Sequence, residues 1–257
     1  MKVSYSSLSC FNDCPYKYKL RYLDKLETKF DERPDNPLVL GTAIHEGIET
    51  GDVDTAVNIY KENYSIFNEN NEWEILKLKS ILPVAIRDIP RGEYEYRLNI
   101  DDEFVGFIDL LVKIDEGVYD LYDFKYSNNI SRYLKSPQIH IYKYYFERIT
   151  GNVIRNMYYV FIPKNTKKFP VVLTEEIKNK LINEVKSDSI RFEKVDYDKQ
   201  HIKHFFSRKS ILEKTEEFNK RYSTKCSYCE YQKYCRTAGQ DTSELTESSL
   251  LKLDNKL

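Results

Sequence analysis

The five cysteines of this 257-residue chain lie only at its two ends. Cys10 and Cys14 sit near the start, Cys226, Cys229 and Cys235 near the finish, and the 211 residues between Cys14 and Cys226 contain none. An odd count argues against a closed disulfide framework. The distal three are spaced C-x2-C-x5-C, as Cys226-Ser-Tyr-Cys229-Glu-Tyr-Gln-Lys-Tyr-Cys235. A C-x2-C turn aims two thiolates at one soft metal centre, and a third can return to it after five residues. Thiolates select zinc or an iron–sulfur cluster. Three ligands leave the set one short, so the fourth would come from the opposite end, where Cys14 precedes Pro15. A free cysteine is commonly a small buried apolar residue. The unclosed trio shifts Cys14 towards a ligand role and leaves Cys10 as structural. A fold that meets this demand must bring its termini together.

Charge is balanced, 40 Lys+Arg against 41 Asp+Glu, and 41% of residues are hydrophobic. That is enough for a sizeable core in one large or two small domains. Near-neutral charge does not exclude nucleic acid, because a groove needs local positive potential only. Most of the 22 Tyr and 13 Phe are expected in the core, with some able to stack on bases. No apolar run approaches the ~18–20 residues of a spanning helix, and Met1–Phe11 lacks a hydrophobic signal region. The expectation is a soluble, cytoplasmic protein with no membrane partner.

Periodicity predicts a helix over 5–23, a loop over 28–37, and helices over about 38–50, 52–67 and 71–88. Strands follow at 94–100, 104–114 and 118–125, with Asp101-Asp102 and Asp115-Glu116-Gly117 as turns. A helix over about 137–150 precedes strands near 154–162 and 169–173; residues 175–222 read as mainly helical, and the end beyond Cys235 as a polar, loose tail. The pattern is that of an α/β protein with a mixed central sheet flanked by helices.

Chemistry concentrates on the three-strand meander. Asp109 lies inside the apolar strand Gly106-Phe-Ile-Asp109-Leu-Leu-Val, and Asp123 and Lys125 end the next one. Period 2 puts Asp123 and Lys125 on one face, and antiparallel pairing places Asp109 opposite. Two carboxylates and a lysine at one point favour a divalent counter-ion. His45, in Leu40-Gly41-Thr42-Ala43-Ile44-His45, would alone be structural; beside two carboxylates its imidazole shifts preference to Mn²⁺ while allowing Mg²⁺. Gln138 and Tyr142 are spaced i, i+4 and share a helical face, either as ordinary amphipathic positions or as hydrogen-bonding groups for a phosphate or for Lys125. The basic stretches 164–168 and 203–214 read as solvated faces or as tracks for a DNA backbone.

Taken in order, Cys14, His45, Gly106-x-x-Asp109, Asp123-x-Lys125, Gln138-x3-Tyr142 and C-x2-C-x5-C resemble the PD-(D/E)XK nucleases over about residues 4–236. More narrowly they resemble the RecB-like iron–sulfur branch, the CRISPR-associated RecB-like exonucleases and the AddB nuclease domain. The resemblance implies a restriction-endonuclease-like fold with one nuclease domain over 1–236, a helical insertion at about 52–88, cluster-binding segments at about 10–15 and 226–235, and a tail over 237–257. It implies that His45, Asp109, Asp123 and the Phe124 carbonyl bind Mg²⁺ or Mn²⁺. Lys125 would be the catalytic lysine, and Gln138 and Tyr142 its supporting pair. Cys14, Cys226, Cys229 and Cys235 would hold a 4Fe–4S cluster that staples the two ends. Asp123 stands where many members have Glu, Cys10 is an extra thiol, and Glu93 and Glu95 are equal candidates for support. The implied activity is hydrolysis of single-stranded DNA from an end, commonly 5′→3′, leaving a 5′-phosphate. Recombination, repair, phage replication in a host cytoplasm, or a CRISPR adaptation complex with protein partners are its implied settings. The rival expectations are a non-catalytic nucleic-acid-binding module and a zinc-stabilised interaction protein.

Overall fold

The computed structural model describes residues 1–164, 174–186, 190–237 and 240–254. Its N-terminal elements are α1 (Tyr5–Asp13), α2 (Pro15–Tyr18), a π-turn (Lys19–Leu23), α3 (Pro37–Thr50), α4 (Val53–Glu62) and α5 (Glu69–Asp88). Then come β1 (Glu93–Ile100), β2 (Phe104–Asp115), β3 (Val118–Tyr126), α6 (Ile130–Leu134), α7 (Gln138–Thr150) and β4 (Val153–Ile162). The chain closes with α8 (Glu175–Lys186), β5 (Arg191–Val195), α9 (Lys199–Glu213), a 3-10 turn (Thr224–Tyr228), α10 (Gln232–Arg236) and α11 (Glu247–Asp254).

The strands form one mixed sheet in the order β1-β2-β3-β4-β5. β2 and β3 pair antiparallel, with Leu110 opposite Tyr122, as the meander predicts. β3 and β4 are parallel, so the chain must cross over between them, and α6 and α7 make that crossing. β5 returns antiparallel to β4. The mixed α/β architecture is the one expected.

The backbone separates into two compact units, residues 32–98 with 107–199, and residues 1–31 with 99–106 and 200–257. In the larger unit Ala43, Ile44 and Ile48 of α3, Ala56 and Tyr60 of α4, and Leu78, Ile81 and Leu82 of α5 share a buried core with Leu110, Tyr122, Phe124 and Val160 of the sheet. The helical stretch 52–88 is thus part of the core that supports the strands. α3 starts where Asn36 accepts a hydrogen bond from the Leu38 N–H at 3.0 Å and Pro37 presets the first turn. On α7, the Phe146 ring meets Tyr96 of β1 and Tyr119 of β3, each at 5.4 Å between centroids.

In the smaller unit α1 opens on a capping box between Ser4 and Ser7. The continuous helix expected over 5–23 is broken at Cys14, whose backbone is extended at φ −156° and ψ 112°. Pro15 is the cause, since the residue before proline is pushed out of the helical region. The N-terminal segment meets the C-terminal one as the cysteine pattern required. The Tyr16 N–H donates to the Asn219 carbonyl at 3.2 Å, and the Tyr231 hydroxyl donates to the Leu26 carbonyl at 2.6 Å. Leu20, Leu26, Tyr231, Tyr234 and Leu245 form this unit's own apolar cluster.

Residues 175–222 are mainly helical, as expected, in α8 and α9, with β5 interrupting them at 191–195. Two further expectations need correction. The end beyond Cys235 is not loose over 240–254: Leu245 bridges Thr28, and the buried Ser249 hydroxyl donates to the Glu27 carbonyl at 3.0 Å. The helix expected over 52–67 ends at Glu62. The strand expected at 169–173 lies outside the described residues.

Candidate active site

The site is built from side chains of α3, β1, β2 and β3 in the larger unit. Asp109 and the β3 end are joined directly, since the Phe124 N–H donates to Asp109 Oδ2 at 2.6 Å. His45 approaches from α3, its ring edge-on to Phe124 with centroids 5.5 Å apart and its Nδ1 3.8 Å from Asp109 Oδ1. The same nitrogen is 3.9 Å from Glu95 Oε1. One ligand atom each from His45, Glu95 and Asp109 lie within 4.8 Å of one another.

Glu95, then, is the carboxylate that β1 contributes, a choice the sequence left open against Glu93. Glu95 has φ +48°, a left-handed conformation rare for a residue with a Cβ. The approach of β1 is fixed just upstream. Arg91 Nη1 donates to the Ile48 carbonyl at the end of α3 at 2.8 Å. Gly92 lies so close to β2 that a Cβ there would sit 2.1 Å from the Leu111 carbonyl oxygen, so only glycine fits.

Asp123 and Lys125 share a face of β3, as strand periodicity requires, and form an ion pair. Asp123 is fully buried, and apart from the Lys125 ammonium its carboxylate oxygens have no hydrogen-bond partner. Burial raises its pKa, helped by the negative charge of Asp109, against the opposing pull of Lys125 and His45. Burial would lower Lys125, yet the charges of Asp123 and Asp109 outweigh it and hold the ammonium above its ordinary range. His45 behaves likewise: burial lowers it, Asp109 and Glu95 raise it more, and the net shift is upward. The Lys125 ammonium also faces the rings of Tyr133 on α6 and Tyr159 on β4, at 5.6 and 5.8 Å from their centroids. Sequence reasoning missed both tyrosines; Tyr133 sits on a five-residue helix too short to show a periodicity.

Gln138 and Tyr142 do meet, Gln138 Nε2 donating to the Tyr142 hydroxyl at 3.0 Å. The cysteines gather in the smaller unit. Cys235 feels the charges of Cys14 and Cys226, and Cys229 that of Cys14, so thiols from both ends lie in mutual electrostatic range. The Arg221 N–H donates to Cys14 Sγ and the Ser223 N–H to Cys226 Sγ, each at 3.4 Å. The Ser223 N–H is the main cause of a lowered Cys226 pKa. Cys10 lies beside Lys17 and Glu230, the same charges that act on Cys229, and its thiol is pushed up to about 11 by burial. Of the basic stretches, 203–214 falls largely on α9, where Lys209 pairs with Glu213 at 3.3 Å and Arg208 bonds Asn12 at 2.5 Å. Only Lys164 of the other stretch lies within the described residues, over the Tyr126 ring at 4.8 Å.

A family model described as the PD-(D/E)XK nuclease superfamily matches residues 2–236. The chain belongs to this superfamily. One solved structure it resembles, that of a provisionally assigned exonuclease from Eubacterium rectale, aligns with a TM-score of 0.48 and 13% identity, over 86% of this chain and 91% of that one. No curated protein matches. Among the described residues, no helix of the nuclease is long and apolar enough to cross a membrane.

Proposed function

We propose that this nuclease is a divalent-cation-dependent exodeoxyribonuclease of the RecB-like iron–sulfur type, acting on single-stranded DNA. The observation that carries the metal requirement is Asp123, a fully buried carboxylate met only by the Lys125 ammonium, beside the converging His45, Glu95 and Asp109. Burying an anion without donors is expensive unless a cation joins it, and the lysine alone leaves lone pairs unmet. The imidazole and carboxylates suit Mn²⁺ or Mg²⁺. His45, Glu95, Asp109 and Asp123 would hold the ion, with the Phe124 carbonyl turned to the same strand edge as its N–H. When bound, such an ion polarises a phosphoryl oxygen and lowers the pKa of a coordinated water.

The protein's own groups divide the remaining work. The Phe124 N–H fixes the Asp109 carboxylate. Lys125, held protonated by Asp123 and Asp109, offers positive charge to the developing phosphorane instead of accepting a proton. Gln138 and Tyr142, locked together, are the proposed supporting pair at the start of α7. Cleavage would leave a 5′-phosphate and a 3′-hydroxyl, in recombination, repair, phage replication or CRISPR adaptation.

Cys14, Cys226, Cys229 and Cys235 are the proposed ligands of a 4Fe–4S cluster. Soft thiolates from both ends, two of them accepting backbone N–H bonds, fit a group whose sulfurs are stabilised by such donors. Cys10 is left outside the proposed set, because Cys14 and the C-x2-C-x5-C trio already supply four thiolates.

The deciding experiment supplies end-labelled single- and double-stranded DNA with Mg²⁺, Mn²⁺ or EDTA. Cation-dependent release of short products from single strands is expected, and cleavage that persists in EDTA would overturn the assignment. Anaerobically purified protein should be brown and carry iron; a colourless zinc-containing protein would replace the cluster with zinc.

A further inference from the structure

We infer that the 3-10 turn between Cys226 and Cys229 is a stacking platform for single-stranded nucleic acid. Tyr228 supplies the ring that meets a base, and Lys225 the cation that meets the backbone. The inference deepens the nuclease reading above and rests on it for the identity of the polymer.

Four tyrosines lie within residues 220–236, and the fold treats them in opposite ways. Tyr231 and Tyr234 are buried, at 3% and 6% exposure, in the cluster with Leu20, Leu26 and Leu245. Tyr222 and Tyr228 are 67% and 91% exposed. The buried pair secures the segment, and the outward pair is left with open rings. In a 3-10 turn residues i and i+3 eclipse, so Lys225 stands on the same side as Tyr228. Lys225 is itself exposed, leaning on Asp13 at 2.5 Å.

Within this segment Lys220, Arg221, Lys225, Lys233 and Arg236 outnumber the one acidic residue, Glu230, while Lys225 pairs with Asp13 and Lys233 with Glu244 from outside it. Glu230 is already engaged by Lys17 at 2.7 Å. Lys220 and Arg221 donate to the neutral carbonyls of Cys235 and Asn12, which leaves their positive charge uncompensated by those bonds. Open aromatic faces within a basic surface match a polyanion whose bases are unpaired. A duplex keeps its π-faces stacked inside, so the platform discriminates against it. The turn is also preorganised: Ser223 and Cys226 cap it reciprocally, and Tyr231 anchors the residues that follow.

The test measures affinity in EDTA for a fluorescent oligothymidylate of about 20 nucleotides and for an abasic oligonucleotide of equal length and charge. Wild type should bind the base-bearing strand about tenfold more tightly than the abasic one. Tyr228→Ala should erase that difference, Tyr228→Phe should keep it, and Tyr222→Ala should reduce it. Tyr228 is so exposed that its truncation removes no buried contact, and unchanged melting and visible absorption serve as the control for folding. Equal affinity of wild type for both strands, or base-dependent binding that survives Tyr228→Ala, would overturn the inference and leave the surface to a protein partner. Metal-dependent hydrolysis of bis(p-nitrophenyl) phosphate reads the chemistry separately. Its absence in wild type counts against the nuclease site, whereas its presence alongside base-independent binding counts against the platform alone.

Discussion

Asp123 has the least comfortable environment of any acidic side chain in the site, and this makes it the most informative residue to alter. It is buried, beside a second carboxylate, and balanced mainly by Lys125 with a smaller pull from His45. Asp123→Ala and Lys125→Ala should each lower DNA cleavage by about 10²–10³-fold or more while the protein stays folded, and full activity in either would refute the site. Protons compete with the cation here, because His45 and Asp123 both hold theirs to higher pH than usual. Binding must displace them, so affinity for Mn²⁺ should weaken as pH falls from about 8 to about 6. Calorimetric titration across that range checks the sign; a pH-independent constant contradicts it. Glu95 carries a different tension, a left-handed backbone at a residue with a Cβ. Glu95→Gly should therefore raise stability by about 1 kcal/mol in EDTA while weakening metal binding. A drop in melting temperature in EDTA would mean that the carboxylate, not the backbone, dominates the position's energetics.

At the scale of elements, the site depends on short pieces that carry little sequence signal. α6 has five residues and buries none of them, yet its Tyr133 forms one wall beside the Lys125 ammonium. A cation over an aromatic face gains about 0.5–2 kcal/mol when partly desolvated. Tyr133→Phe keeps the ring and should retain kcat, whereas Tyr133→Leu should lower kcat several-fold with little change in KM. Equal kcat in the two variants would remove the ring from the mechanism. The same scale explains what was legible. β2 and β3 stand out because apolar residues alternate and the Asp115-Glu116-Gly117 turn ends on a glycine with φ +66°. β5 escaped notice because Arg-Phe-Glu-Lys-Val has no buried face; its identity comes from pairing with β4. The break at Cys14 was available in Pro15 and was overridden by the helical spacing of Leu8, Phe11, Tyr18 and Tyr22.

For the whole molecule, the proposed cluster would link residues more than two hundred positions apart in the chain. Holding Cys14 to Cys226, Cys229 and Cys235 through a bound cluster would restrict the unfolded ensemble and stabilise the smaller unit. Cys229→Ser should lower iron content and melting temperature together, while Cys10→Ser should change neither by much, as metal analysis and thermal unfolding would report. Unchanged iron in Cys229→Ser would remove it from the ligand set.

The sequence by itself determined the donor inventory: a C-x2-C-x5-C trio needing a partner, two aspartates and a lysine at strand ends, and a helical histidine. Such spacings follow from the fixed periods of strand and helix, so they survive without knowledge of the fold. Only the tertiary structure decided which donors converge. It brought Glu95 to His45 and Asp109, put Cys14 in electrostatic range of Cys229 and Cys235, and brought Tyr133 and Tyr159 to Lys125. Each of these choices depends on burial and on contacts between segments distant in the chain, and local periodicity carries no term for either.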